Sequence, residues 1–264
     1  MFRTLAISTF RALVELGNWV RLLIATASEI KDRILEGRPP IGWNELMEQA
    51  DRVGWGSVPL VALISFFLGL TMALLTGYEL QKFGTERLVP GLVAVSFTRE
   101  LGPLLTGIMV AARIGAAFTA ELGTMVVSEE IEAMEAMGIG PLRFLIGPRL
   151  ICVAFLMPCL AVISNLSALA GGYLVSQRTL HISFDYFARA VQENLLVRDI
   201  CSGTVKSICF GIIIGVVSCY KGLAVSGGAA GVGTSTTSSV VVAIATVIGF
   251  DSIFNICFTS FFER

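Results

Sequence analysis

Arg99 and Glu100 stand side by side in an otherwise apolar run, Arg-Glu-Leu-Gly-Pro at 99–103. A charge in hydrocarbon is costly unless a partner satisfies it. Neighbours on a helix diverge by ~100°, so these two cannot fully satisfy one another. Two uses remain open: an ion pair with other helices, or the lining of a wet cavity or a polar substrate's path.

Two further stretches carry polar chemistry. In "SEEIEAMEAMGIGP", 128–141, Ser128 is placed to cap a short helix, and Glu129 and Glu130 suit the positive end of its dipole. Gly138 is placed to end it, with Pro141 beyond. Glu132 and Glu135 then point one way, while Ile131, Met134 and Met137 form an apolar ridge. That pattern fits a solvated connecting helix or a docking helix whose flexible methionines suit insertion into a groove. The second stretch, "GGAAGVGTSTTSSV" at 227–240, has the glycine spacing of a phosphate-binding loop from Gly228, with Ser235 where a magnesium-binding hydroxyl belongs. However, Thr234 replaces the lysine that such a loop needs, and a membrane span follows at once. The glycines and hydroxyls of 227–239 read instead as a compact turn into the last helix.

The elements that must position these residues are membrane spans. Of 264 residues, 55% are apolar and 15% charged, against about 25% charged in soluble domains. Mean hydropathy is +0.79. Uncharged runs at 57–78 and 150–176, and the run at 238–262 with Asp251 inside it, are each long enough to cross ~30 Å of hydrocarbon. A fourth span, 205–224, is bracketed by Lys206 and Lys221, whose stems can snorkel. The stretch 88–127 is too long for one crossing, and Gly102-Pro103 should break or kink it. Beyond that point Gly107, Ala111, Gly115, Thr119 and Gly123 make a smooth helix-packing seam.

Residues 1–36 form an amphipathic helix in the membrane interface. Phe2, Leu5, Leu13, Leu16, Val20 and Leu23 share one face, with Arg3, Arg11, Glu15 and Arg21 opposite. Glu15 and Arg21 interrupt what would otherwise be a signal-peptide core. Pro39-Pro40 stops the helix. The expected fold is an all-α integral membrane protein: an interfacial helix, five spans over 57–262 and a short helix at 128–139, in one domain over 1–264. With the N-terminus cytoplasmic, Lys and Arg are modestly in excess inside, and the C-terminus is periplasmic.

A net charge of −1 and the lack of a basic stripe argue against nucleic acid. His181 is the one histidine, so a metal site or a histidine-based catalytic set is not expected. The six cysteines read as small buried apolar residues. No nucleophile motif suggests an intramembrane enzyme. An autonomous channel or secondary transporter using Arg99, Glu100, Arg113 and Asp251 is the alternative, although no internal repeat supports it.

The stretch "RELGPLLTGIMVAARIGAAFTAELGTMVVSEEIEAMEAMGIGPLRFLIGPR" closely resembles the central signature of MlaE/YrbE-type permeases, the membrane subunits of ABC transporters linked to MCE proteins. The likeness is dense over 88–180 and returns in "GGAAGVGTSTTSSVV". It departs at Glu129-Glu130, where Glu-Gln is common, and at Gly140, where an acidic residue is. The resemblance implies two copies paired around a phospholipid cavity in the bacterial inner membrane. It implies an MCE-domain partner outside and a cytoplasmic ATPase that carries ATP and magnesium, leaving no cofactor on this chain. Glu129, Glu130, Ile131, Glu132, Met134, Glu135, Met137 and Gly138 would couple to the ATPase. Arg99 would hold a lipid phosphate through paired hydrogen bonds, with Glu100 holding Arg99 or a neighbouring helix in place, or setting the cavity's polarity. Leu70, Leu74, Leu75 and Phe83 would line the path of the tails. Such a complex serves outer-membrane lipid asymmetry or related lipid traffic.

Overall fold

The computed structural model describes the backbone of residues 2–35 and 43–262, and the side chains of residues 14–31, 46–258 and 260. Helix α1 (Phe2–Leu35) is followed by α2 (Trp43–Ala50), which leads through a wide turn at Asp51–Trp55 into α3 (Val58–Gln81). Next come α4 (Glu86–Val127), α5 (Glu130–Ala136) and α6 (Leu142–Thr179). The chain then forms α7 (Phe184–Asn194), α8 (Val197–Leu223) and α9 (Gly228–Phe262). No strand occurs among the described residues. Helical runs containing α3, α4, α6, α8 and α9 are long and apolar enough to cross a bilayer. Hydropathy marks them because each closes its own backbone hydrogen bonds, as hydrocarbon requires.

Small residues set how closely the spans approach. A methyl group at Gly69 of α3 would collide with the Ala168 carbonyl of α6, and one at Gly171 with the Phe66 carbonyl. Beside this contact, the hydroxyls of Ser65 and Ser164 share a buried 2.7 Å hydrogen bond. The seam residues of α4 lie against α8 and α9. Gly107 faces Phe210 and Val247, and a methyl at Gly115 would stand 2.8 Å from Ser218 Oγ; one at Gly123 would stand 2.7 Å from Val225. Ala111 is fully buried. Thr119 Oγ1 lies 3.0 Å from the carbonyls of Gly115 and Ser218 and 2.8 Å from Ser239 Oγ. With one proton to give, it can donate to a carbonyl and accept from Ser239.

Several local expectations are corrected. Gly102-Pro103 does not break α4, which runs on for 42 residues. Wide π turns at Phe97–Leu101 and Ala111–Gly115 interrupt its ordinary winding, and the first absorbs the donor that Pro103 lacks. The polar stretch after Gly228 is helix rather than turn, and the hydroxyls of Thr234, Thr236 and Thr237 are satisfied within it by carbonyls three or four residues earlier. Among the cysteines only Cys152 and Cys219 are buried, while Cys159, Cys201 and Cys257 are exposed. Helix α7, not anticipated, packs Phe187 and Ala190 inward. His181 occupies a left-handed turn, φ 56°. Among the described side chains of α1, Trp19 and Thr26 are buried, and Leu16, Val20 and Leu23 are exposed, available to a bilayer. The side chains of Phe2, Arg3, Leu5, Arg11 and Leu13, and the Pro39-Pro40 stop, lie outside the described residues.

Candidate functional site

The wide turn at 97–101 packs against α6 and α8 and delivers Glu100 to a charge cluster. Its Oε2 accepts from Lys206 Nζ at 2.6 Å and from Asn255 Nδ2 at 3.0 Å. Lys206 also meets Asp251 Oδ1 at 2.9 Å and donates to Asn255 Oδ1. Asn255 Nδ2 is 3.4 Å from Asp251 Oδ2, one turn away on α9. Thus three helices are tied at one point. Arg99 Nε stands 3.8 Å from Glu100 Oε1, and its guanidinium lies 5.0 Å from the centre of the Phe258 ring. Lys206 is 5.4 Å from the Phe254 ring. Two cations and two carboxylates meet here, so the formal charges cancel.

Lys206 overturns the expectation that it snorkels: its side chain is 0% exposed. Two carboxylates reach it inside the bundle, so its charge is compensated without water. Lys221 is likewise engaged, 3.0 Å from Glu15 of α1. Lys206 and Asn255 were therefore missed as members of the cluster. Their signals were slight: an ammonium within an apolar span, and a polar side chain four residues after Asp251. Leu70 packs at the edge of the core formed by Val93, Phe97 and Ala168. Leu74, Leu75 and Phe83, on and just after the same helix, are exposed.

A second cluster lies where α5 joins the bundle. Glu121 accepts from Arg52 and, at 3.0 Å, from Arg149 Nη2. Arg52 also meets Glu48 at 3.1 Å. Arg149 donates to the Leu145 carbonyl at 3.0 Å and lies 5.5 Å from the Phe118 ring. These residues border an open cleft of about 620 Å³ that reaches Thr124 and Glu130.

Helix α5 is shorter than 128–139 and differently capped. Ser128 Oγ lies 3.0 Å from the Thr124 carbonyl and 2.9 Å from Glu130 Oε1 and can donate to one of them at a time, while Glu129 turns the corner in the left-handed region, φ 59°. Gly138, φ 75°, ends the helix, and the Ile139 N–H bonds the Met134 carbonyl. Ile131 and Met134 face inward, against the core of Leu122, Leu145 and Ile146. The ridge is therefore the helix's seat on its own bundle. Glu129, Glu130, Glu132, Glu135, Met137 and Gly138 are exposed and make the outward face.

The Permease MlaE family profile matches residues 46–257. A probable ABC transporter permease of Rickettsia typhi is 38% identical over 204 residues, covering 77% of this chain and 79% of its own. One from Synechocystis is 33% identical over 236 residues, covering 88% and 89%. The chloroplastic protein trigalactosyldiacylglycerol 1 of Arabidopsis thaliana is 38% identical over 218 residues, covering 83% of this chain and 62% of the plant protein.

Proposed function

The chain belongs to the MlaE permease family, and from that premise we propose that it is the phospholipid-moving membrane subunit of an ABC transporter. An ABC permease works with an ATPase. In this reading ATP and magnesium sit on that partner, and the chain itself is not catalytic. It pairs with a second copy in a bacterial inner membrane, N-terminus cytoplasmic and C-terminus periplasmic. It exchanges phospholipid with an MCE-domain protein, in maintenance of outer-membrane lipid asymmetry or related traffic.

The observation that carries the lipid reading is the Arg99–Glu100–Lys206–Asp251 cluster, set among Phe254 and Phe258 in the half of the bundle away from α5. It offers polar groups beside apolar surface, as an amphipathic cargo needs. Glu100 is held by Lys206 and Asn255, and Arg99 beside it carries a planar guanidinium, the group whose paired N–H donors match a phosphate. An autonomous channel is disfavoured by Lys206, whose charge is enclosed by carboxylates rather than open to water. The outward acidic face of α5 suits a basic groove on the ATPase.

The test is reconstitution of the complex purified from its own membrane. Net movement of labelled phospholipid to or from the MCE partner should require ATP. Arg99→Ala should lower the lipid recovered while leaving subunit assembly intact. Glu135→Lys should uncouple ATP turnover without unseating α5. Normal lipid recovery and transport in Arg99→Ala would assign the cluster a purely structural role.

A further inference from the structure

Between α1, α8 and α9 runs an apolar groove of about 690 Å³, walled by Trp19, Val20, Val216, Val217, Val242 and Phe250. That volume falls in the ~300–1,000 Å³ range of sites that enclose small molecules. Leu16, Val20 and Leu23, on its α1 side, are all exposed, so the groove opens along the stripe that α1 turns towards a bilayer. A methyl group at Gly249, on its floor, would meet no atom within 4 Å.

At the end nearest α5 the groove changes character. Glu15 borders both the groove and an adjoining polar cleft of about 330 Å³, whose other walls include Lys221, Thr234, Ser235 and Ser238. Glu15 and Lys221 are 3.0 Å apart there. Both side chains keep some exposure, 41% and 17%, so neither is locked away from a ligand. Apolar wall, then cation and anion side by side: this is the order of tail, phosphate and amine in a zwitterionic phospholipid.

We propose that the groove and its cleft form a binding site for one zwitterionic phospholipid of the leaflet on the α5 side. A tail lies against Val216, Val217 and Val242. The phosphate takes Lys221 and the hydroxyls of Ser235 and Ser238, while the amine takes Glu15. The ion pair between the two side chains opens to admit the headgroup, exchanging one charge pair for two. An anionic headgroup without an amine would leave Glu15 beside a phosphate, which disfavours it. The site requires only that the chain lie in a bilayer. It is separate from the Arg99 cluster, since Lys221 is 15 residues beyond Lys206, about 22 Å along α8.

The test places a photoreactive residue at Val242, and a control at Leu63 on the exposed face of α3. The full complex is held in nanodiscs of equal phosphatidylethanolamine and phosphatidylglycerol. Val242 should capture phosphatidylethanolamine in excess, whereas Leu63 should report the bulk mixture. Gly249→Leu, or Ala245→Phe as a second way to fill the groove, should cut the Val242 adduct about tenfold, as expected when two or more methylenes lose their place. Glu15→Gln with Lys221→Gln should erase the headgroup preference yet keep an adduct. Capture should persist in Arg99→Ala, which separates this site from the transport reading. A Val242 adduct to a second copy or another subunit would overturn the proposal, as would bulk composition there or adducts indifferent to both filled grooves.

Discussion

The two charge clusters lie at opposite ends of the bundle and differ in burial. Near the far end, Lys206 is wholly enclosed, and Glu100, Asp251 and Asn255 close on it from α4 and α9. At the α5 end, Glu121 joins Arg149, 7% exposed, to Arg52, 50% exposed. The charged groups are alike, but the medium is not. An enclosed ion pair is hard to dismantle one partner at a time, whereas a rim pair competes with water and salt throughout. One cluster can fix the relative positions of three helices; the other can loosen and re-form beside a coupling element.

The sharpest way to break this contrast is Lys206→Met, which takes the cation from buried Asp251 and leaves Glu100 only Arg99, at 3.8 Å, and Asn255. We expect a loss of about 3–5 kcal/mol, read as a lower melting temperature in detergent, with much of it restored by adding Glu100→Gln and Asp251→Asn. A variant that melts like the wild type would show that water reaches the cluster. Arg149→Met should cost less, about 1.5–3 kcal/mol, because Glu121 keeps Arg52 while the Leu145 carbonyl loses a charged donor. Denaturant titration of the same preparations checks it. Thr119→Val asks whether burial alone, without charge, suffices. It should cost about 1–2 kcal/mol by leaving Ser239 without its partner, and equality with Lys206→Met would refute a special role for charge. The smallest effect belongs to Arg52→Ala, about 0–1 kcal/mol and vanishing in high salt; a large, salt-insensitive loss would mean this rim is drier than its exposure indicates.

Much of the fold was legible because a membrane leaves few choices. Each span declares itself by length and lack of charge, and the five expected spans are present. Their ends were less legible. Extension of α6 back to Leu142 and of α9 to Gly228 depends on tertiary support, which overrides the weak helix preference of glycine, serine and threonine. The continuity of α4 depends on a wide turn that sequence periodicity does not announce. At the candidate site, Arg99, Glu100 and Asp251 stood out as charges in apolar runs. Lys206 did not, because a lysine near the end of a span usually reaches for the headgroups; only the arrival of Glu100 and Asp251 from other helices determines otherwise. The inward turn of Met134 was hidden for a related reason. A ridge on a short helix has the same pattern whether it meets a partner or its own chain.

The backbone-to-backbone contact of α3 with α6 bears on how the protein is made. Gly69 packs on Ala168 and Gly171 on Phe66 across that contact, yet about a hundred residues separate the two sides, which at ribosomal speeds of roughly 5–20 residues per second is a delay of about 5–20 s. Throughout that interval the first span sits in the nascent membrane with its tightest-fitting surface unmatched. Lipid or the insertion machinery must shield the surface and then yield it. The order of the helices thus builds a waiting period into biogenesis, and α3 is the segment most open to premature association before α6 arrives.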